Sequence, residues 1–236
     1  INILLANFGK PINPILGETF QGHFIDGSMG YAEQTSHHPP VSSFQFFGPN
    51  KNYHLSGYMN YAAHAGFTSV LVENIGKRQI QFHDGQVIKY NFCNERLHGL
   101  FWGTIRHETI GDLTFKDEKN KLEGYIKIAN DKKRVSDYFE GEITKNGFPV
   151  STLFGTLLGY LDCDGKRYWD FRDLKPFDPL PIEDVHRLPS DAGKRDDLQF
   201  LAEGDLEKAQ IAKEKLENGQ RHDRDLRKKH AKSQHQ

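Results

Sequence analysis

Tyr53-His54-Leu55-Ser56-Gly57-Tyr58-Met59-Asn60-Tyr61 is the stretch whose pattern decides the fold class. Tyr53, Leu55, Gly57, Met59 and Tyr61 alternate with His54, Ser56, Tyr58 and Asn60. Successive side chains of an extended chain point to opposite faces, so this period of two marks a half-buried strand. Toward the C-terminus, Gly66-Phe67 leads into an apolar run at 69–73. Residues 78–82 pass through His83-Asp84-Gly85-Gln86 into 87–92, a strong hairpin signal. A strand at 41–47 precedes the opening stretch, and further strands are predicted at 100–107, 122–128, 139–143, 151–161 and 167–171. Short strands at this spacing predict a mainly β chain, an antiparallel sandwich or a large barrel. The texture changes after Pro189, and 205–232 is rich in Glu, Lys and Arg without proline, which predicts a helix with Gly219 as its weak point. The expected organisation is therefore a β core over 1–189 and a helical extension over 190–236.

Composition narrows the function. The 236 residues carry 31 Lys+Arg against 32 Asp+Glu, a formal net charge of -1, so the generic basic surface of a nucleic-acid binder is absent. Apolar runs are too short and interrupted to span a bilayer as helices. Cys93 and Cys163 have neither metal-site spacing nor a disulfide framework around them, and a cytoplasmic location is the expectation. Residue 1 is isoleucine, so the chain is expected to begin inside a longer protein.

Three segments have the residue types to carry chemistry. The first is Glu33-Gln34-Thr35-Ser36-His37-His38-Pro39-Pro40. Two prolines exclude a helix interior and hold the preceding residues extended, so the histidine pair lies on a stiff loop. His37 and His38 are open to three readings: structural rings bonded to backbone, an anion-binding pair, or metal ligands, the last least favoured because no partner spacing accompanies them. The second segment runs from Lys10 through Pro11, Asn13 and Pro14 to Gly17 and Glu18. The prolines stiffen the approach and Gly17 permits a close turn; a plain connection with a solvated Lys10 is the simpler alternative. The third is the stripe Lys213, Glu217 and Arg221, whose spacing keeps all three on one helix face, either as a functional surface or as ordinary surface ion pairs. No nucleophile elbow, phosphate loop, dinucleotide fingerprint or zincin helix is present in the sequence.

Together these segments resemble the ligand-binding domain of the oxysterol-binding protein family. That family carries K-P-x-N-P-x-L-G-E, then E-Q-V-S-H-H-P-P, then K-x-x-x-E-x-x-x-R on a late helix. Here they stand in the same order as Lys10–Glu18, Glu33–Pro40 with Thr35 in place of valine, and Lys213–Arg221. The resemblance implies a large antiparallel barrel, possible incompleteness included, around an apolar tunnel with a charged helix packed on it. It implies phosphatidylinositol 4-phosphate as a ligand, with a sterol or a phospholipid as the second ligand. By motif position, Lys10, His37, His38, Lys213 and Arg221 are expected to bind the headgroup phosphates, and Glu217 to orient its basic neighbours or accept an inositol hydroxyl. Pro11, Asn13, Pro14, Gly17, Glu18, Ser36, Pro39 and Pro40 are expected to shape the site.

The implied function is a lipid-transfer domain acting peripherally on anionic membrane surfaces, with no cofactor, no metal and no covalent chemistry. Lys132, Lys133 and Arg134, and Arg227, Lys228 and Lys229, are candidate docking patches for anionic lipids, with plain solvation as their alternative. A phosphoinositide-sensing scaffold without efficient transfer, and a hydrolase using His37 or His38 as general base, stand as alternatives. Family domains begin with a lid and helices before the K-P-x-N-P element, and the nine residues preceding Lys10 are too few to hold them. Gly219 is expected to kink the helix between Glu217 and Arg221.

Overall fold

The computed structural model describes residues 13–99, 103–128, 134–175, 179–180, 182–183 and 186–233. The opening stretch lies within a strand of 13 residues, Tyr53–Ala65 (β4), preceded by β1 (Thr19–Phe24), β2 (Met29–Ser36) and β3 (Val41–Phe47). Then follow β5 (Ser69–Ile75), β6 (Arg78–Phe82), β7 (Val87–Tyr90), β8 (Asn94–His98) and β9 (Arg106–Asp117). The remaining strands are β10 (Leu122–Ile128), β11 (Tyr138–Lys145), β12 (Phe148–Thr156), β13 (Tyr160–Cys163), β14 (Lys166–Asp170) and β15 (Pro179–Leu180). Two helices close the described chain, α1 (Asp196–Ala202) and α2 (Leu206–Ser233).

All strands join one 15-stranded sheet, and every described pairing between them is antiparallel. The path runs from β14 down to β9, then β7-β6-β4-β3-β2-β1-β15. Between β4 and β9 the sheet forks, because both strands are long enough to serve two partners. The first half of β4 pairs with β6 and its second half with β5, while β9 pairs with β8 and then with β7. Among the described residues, no pairing joins the end strands β14 and β15. The antiparallel architecture matches the sequence expectation.

Two expected strands have different limits. The predicted strand at 100–107 gives way to a loop over 103–105, its first three residues lying outside the described ones, and β9 starts at Arg106. Gly99 and Gly103 both hold left-handed backbone, and a Cβ at Gly99 would collide with the Thr104 carbonyl, so the chain turns here. The predicted strand at 151–161 is divided into β12 and β13. The chain folds back on itself here: Thr156 pairs with Tyr160, Gly159 N donates to the Thr156 carbonyl at 3.2 Å, and the Asp137 carboxylate accepts from Leu158 N at 3.1 Å within the turn. The helix α2 is continuous through Gly219, where an added Cβ would meet nothing within 4 Å.

The packed core is small and lies toward one end of the sheet. Cys93, Ile128, Phe139 and Leu157 form its buried centre, with Phe92, Leu113, Ile126 and Leu161 against them. Burial pushes the Cys93 thiol up to about 12, so it behaves as a small apolar filler. On β4, in contrast, no residue is fully buried on either face. A sheet this long with so little complete burial leaves apolar side chains half covered.

The helical segment is tied to the sheet by a buried charge cluster. Arg195, just ahead of α1, is 6% exposed, and its guanidinium is held by two carboxylates. Nε and Nη2 donate to Asp197 at 2.9 and 2.6 Å, and Nη1 donates to Glu18 Oε2 at 2.5 Å and to the Asn13 carbonyl at 2.9 Å. A parallel contact joins Thr19 N to the Ser190 carbonyl at 2.9 Å. Replacing Arg195 by methionine leaves Glu18 and Asp197 buried and uncompensated, and is expected to cost about 3–5 kcal/mol in urea unfolding. A loss below about 1 kcal/mol would show that the cluster does not hold the two parts together.

Candidate functional site

The histidine loop is fixed from behind by Gln34, which is 5% exposed. Its Nε2 donates to the Ser36 carbonyl at 2.6 Å, and its Oε1 accepts from Ser42 Oγ at 2.6 Å. The β2–β3 register shifts between Gln34 and Ser36, a bulge that turns the following residues out of the ladder. His37 and His38 follow immediately, their rings 4.5 Å apart and tilted by 69°. Pro39 and Pro40 are exposed and return the chain to β3; the His38–Pro39 peptide is cis.

The segment before β1 lies directly against this loop. Ile15 N donates to Glu18 Oε2 at 2.9 Å, closing a turn in which Gly17 has φ +81°. Gly17 N then donates to the Gln34 carbonyl at 2.8 Å, and Gln34 N to the Glu18 carbonyl at 2.9 Å. Two motifs that the sequence presents separately are thus one hydrogen-bonded unit. Glu18 and Gly17 act in its framework, while Asn13, Pro14 and Ser36 face the open space in front of it. Lys10 and Pro11 lie outside the described residues.

The third wall is α2. Glu217 stands between its two basic neighbours, with Oε1 3.8 Å from Lys213 Nζ and Oε2 3.1 Å from Arg221 Nη2. Arg221 also donates from Nη1 to Asn218 Oδ1 at 2.7 Å. These residues and the histidine loop border one cleft of about 780 Å³. Its described lining includes Arg195, Lys213, Arg221, Arg224, Arg227 and Lys228, and Glu217 is its one carboxylate. The cleft is therefore strongly positive in a chain whose net charge is -1.

His37, His38, Lys213, Glu217 and Arg221 are brought together as the sequence suggested. The two docking patches divide. Arg227 and Lys228 border the cleft, whereas Lys229 is not among its lining residues. Arg134 covers the Tyr138 ring at 4.1 Å, and Lys132 and Lys133 lie outside the described residues. Sequence reasoning missed Arg195, Gln220 and Arg224. Gln220 and Arg224 continue the helical stripe at seven residues beyond Lys213 and Glu217 respectively, so extending the period would have found both. Arg195 had no such signal. Among the described residues, no group of three His, Cys, Asp or Glu side chains is placed to hold a metal ion, and no helix is long and apolar enough to cross a membrane.

A forked antiparallel sheet whose histidine loop, proline-braced turn and late basic helix converge on one cationic cleft is the class this fold and site define. Residues 3–173 match the family model for oxysterol-binding protein, and the chain belongs to that family. Oxysterol-binding protein 9 of Dictyostelium discoideum is 31% identical over 246 residues, which cover 92% of this chain and 57% of that protein. Protein kes1 of Schizosaccharomyces pombe is 28% identical over 240 residues, covering 90% of this chain and 60% of its own length. The Osh1 ORD domain, solved in complex with cholesterol, matches with a TM-score of 0.81 at 21% identity, over 94% of this chain and 62% of that one. The Osh3 ORD of Saccharomyces cerevisiae, solved in complex with PI(4)P, matches with a TM-score of 0.79 at 23% identity, over 93% of this chain and 64% of that one. The chain thus spans between half and two thirds of these relatives.

The electrostatics of the cleft make His37 responsive to pH. Burial pushes its imidazole below the ordinary value, the positive charge at His38 and Arg224 pushes further, and Glu217 opposes them. The folded chain therefore binds fewer protons at His37 than the unfolded chain does. The stability this contributes is present above the ordinary imidazole value and lost as pH falls through it. An anion in the cleft prefers the doubly protonated ring, so phosphate binding is expected to strengthen as pH drops below about 6.5. Ring-proton NMR should give a midpoint for His37 below that of exposed histidines, and His37→Gln should flatten the pH dependence of phosphate binding. A midpoint at or above the exposed value would contradict this account.

Proposed function

We propose that the cleft binds the phosphorylated headgroup of phosphatidylinositol 4-phosphate and that the chain exchanges this lipid for a sterol or another phospholipid between membranes. The observation that carries the reading is the meeting of His37 and His38 with Lys213 and Arg221 around a space that holds a single carboxylate. Phosphate groups removed from water need charge-assisted donors from several directions, and three walls supply them. Glu217 then acts as an orienting group, bridging Lys213 and Arg221, or accepts an inositol hydroxyl. Lys10 completes the donor set from the segment that precedes Asn13.

The acyl chains lie against the half-buried apolar side chains of the sheet. Each 100 Å² of apolar surface covered there contributes about 2.5 kcal/mol, which offsets withdrawal from the bilayer. The Osh3 domain in complex with PI(4)P and the Osh1 domain in complex with cholesterol or ergosterol support both ligand classes. Binding and release involve no covalent step. Membrane contact is peripheral and cytoplasmic, with Arg134, Lys132, Lys133 and Lys229 meeting anionic headgroups and Arg227 and Lys228 shared between surface and cleft.

Replacing both His37 and His38 by alanine is expected to reduce uptake of phosphatidylinositol 4-phosphate from liposomes by roughly tenfold or more. Unchanged uptake would remove the site assignment. Normal binding with transfer at background would instead identify a sensing scaffold, and recovered lipid that is chemically altered would identify a hydrolase.

A further inference from the structure

Arg78, the first residue of β6, is 3% exposed. Cross-strand register places Phe44, Gly57, Arg78, Tyr90 and Phe115 in a single row across β3, β4, β6, β7 and β9. Residues directly opposed in a sheet project to the same face. The adjacent row on that face is Phe46, Leu55, Ile80 and Ile88. A guanidinium therefore stands in the middle of an otherwise apolar face. Gly57 makes room for it, since a Cβ there would lie 2.9 Å from Arg78 Cγ.

Among the described residues, none carries a charge that neutralises this cation. The guanidinium lies over the Phe92 ring at 4.6 Å, and Nη2 donates to the neutral Asn74 Oδ1 at 2.5 Å. Nη1 is buried without a hydrogen-bond partner, and no described carboxylate forms an ion pair with Arg78. Burial lowers the basicity of the group, opposed by the phenolic oxygens of Tyr90, Tyr61 and Tyr58. Guanidinium nevertheless keeps its proton throughout the physiological range. Water at Nη1 would satisfy a donor and leave the charge uncompensated. Arg78 also borders a cavity of about 530 Å³ whose lining combines this row (Gly57, Arg78, Tyr90) with polar residues of the opposite face (Ser56, Gln79, Lys89, Lys116), so the sheet is not packed solid around β6.

We infer that the lipid received by this apolar face carries a carboxylate at the end that reaches β6, and that Arg78 is its binding residue. A carboxylate accepts two parallel N–H bonds from a guanidinium fork and cancels its charge. A sterol hydroxyl accepts one bond and cancels nothing. Arg78 is thus a specificity-determining residue that selects an acidic lipid over a neutral one of the same shape. The inference rests on the reading that this face receives a lipid.

The test compares a fluorescent long-chain fatty acid, cis-parinaric acid, with its methyl ester on the intact chain. Wild type is expected to bind the acid roughly tenfold or more tightly than the ester. Arg78→Met should bring the two affinities together, and Arg78→Lys should keep part of the preference. Equal binding of acid and ester by wild type overturns the role of Arg78 while leaving lipid binding by the face intact. Failure to bind either compound, alongside absent phosphoinositide uptake, overturns the underlying reading as well. If circular dichroism shows Arg78→Met to be unfolded, the wild-type ratio together with Arg78→Lys decides.

Discussion

The Arg195 cluster is the constraint on which the cleft depends. One guanidinium reaches Asn13 and Glu18 at the start of the described chain and Asp197 at the start of α1. Without it, the turn that supports the histidine loop and the segment that aims α2 would be joined only by thinner contacts such as Thr19 with Ser190. Apolar packing could supply comparable free energy. It would not supply the same direction, because a fork held by two carboxylates fixes angle as well as distance. The walls of the cleft come from residues about two hundred positions apart, so angle is what the arrangement needs.

The distribution of charge follows the same logic. Nearly equal numbers of acids and bases are spread over the chain, and some pair locally on exposed strands, as Lys89 does with Glu118 and Lys116 with Glu123. Such pairs contribute little stability. At the cleft the balance is suspended: Lys213, Arg221, Arg224, Arg227 and Lys228 line it beside the single carboxylate of Glu217, while Arg195 is held by Glu18 and Asp197. A surface of mixed sign surrounds a pocket lined mainly by one sign, a segregation that a count of charged residues cannot reveal.

Much of this was legible in the sequence, for reasons that differ by element. The alternation of 53–61 survives in β4 because a period of two is imposed by backbone geometry, whatever packs on either face. The predicted limits of β10 coincide with those of Leu122–Ile128 because both neighbours pair along its full length. The limits failed where the chain folds back on itself between β12 and β13, with Thr156 pairing with Tyr160. The weak point assigned to Gly219 does not end the helix: the glycine is exposed with no neighbour within 4 Å of an added Cβ, and α2 continues past it. In the site, His37, His38 and the helix stripe could be read from motif and period. Arg195 could not, because its role arises only when Glu18 and Asp197 are folded onto it.

The two ends of the sheet have a consequence for the behaviour of the chain in a crowded solution. An unpaired strand is a template onto which another strand can add, and fibres grow from such templates. β15 offers only two residues, one of them Pro179, which has no N–H to donate. β14 is longer, and its neighbourhood is dense with ions: Arg167 binds Asp162 and Asp170, and Arg172 grips Asp170 from the following turn. Those hydrogen bonds, led by Arg172, hold the Asp170 carboxyl well below the usual carboxylate range, so the charges persist into acid. A strand approaching this border would have to strip water from several fixed ions before making its first backbone bond. Borders left unpaired among the described strands are therefore compatible with a chain that remains a separate molecule.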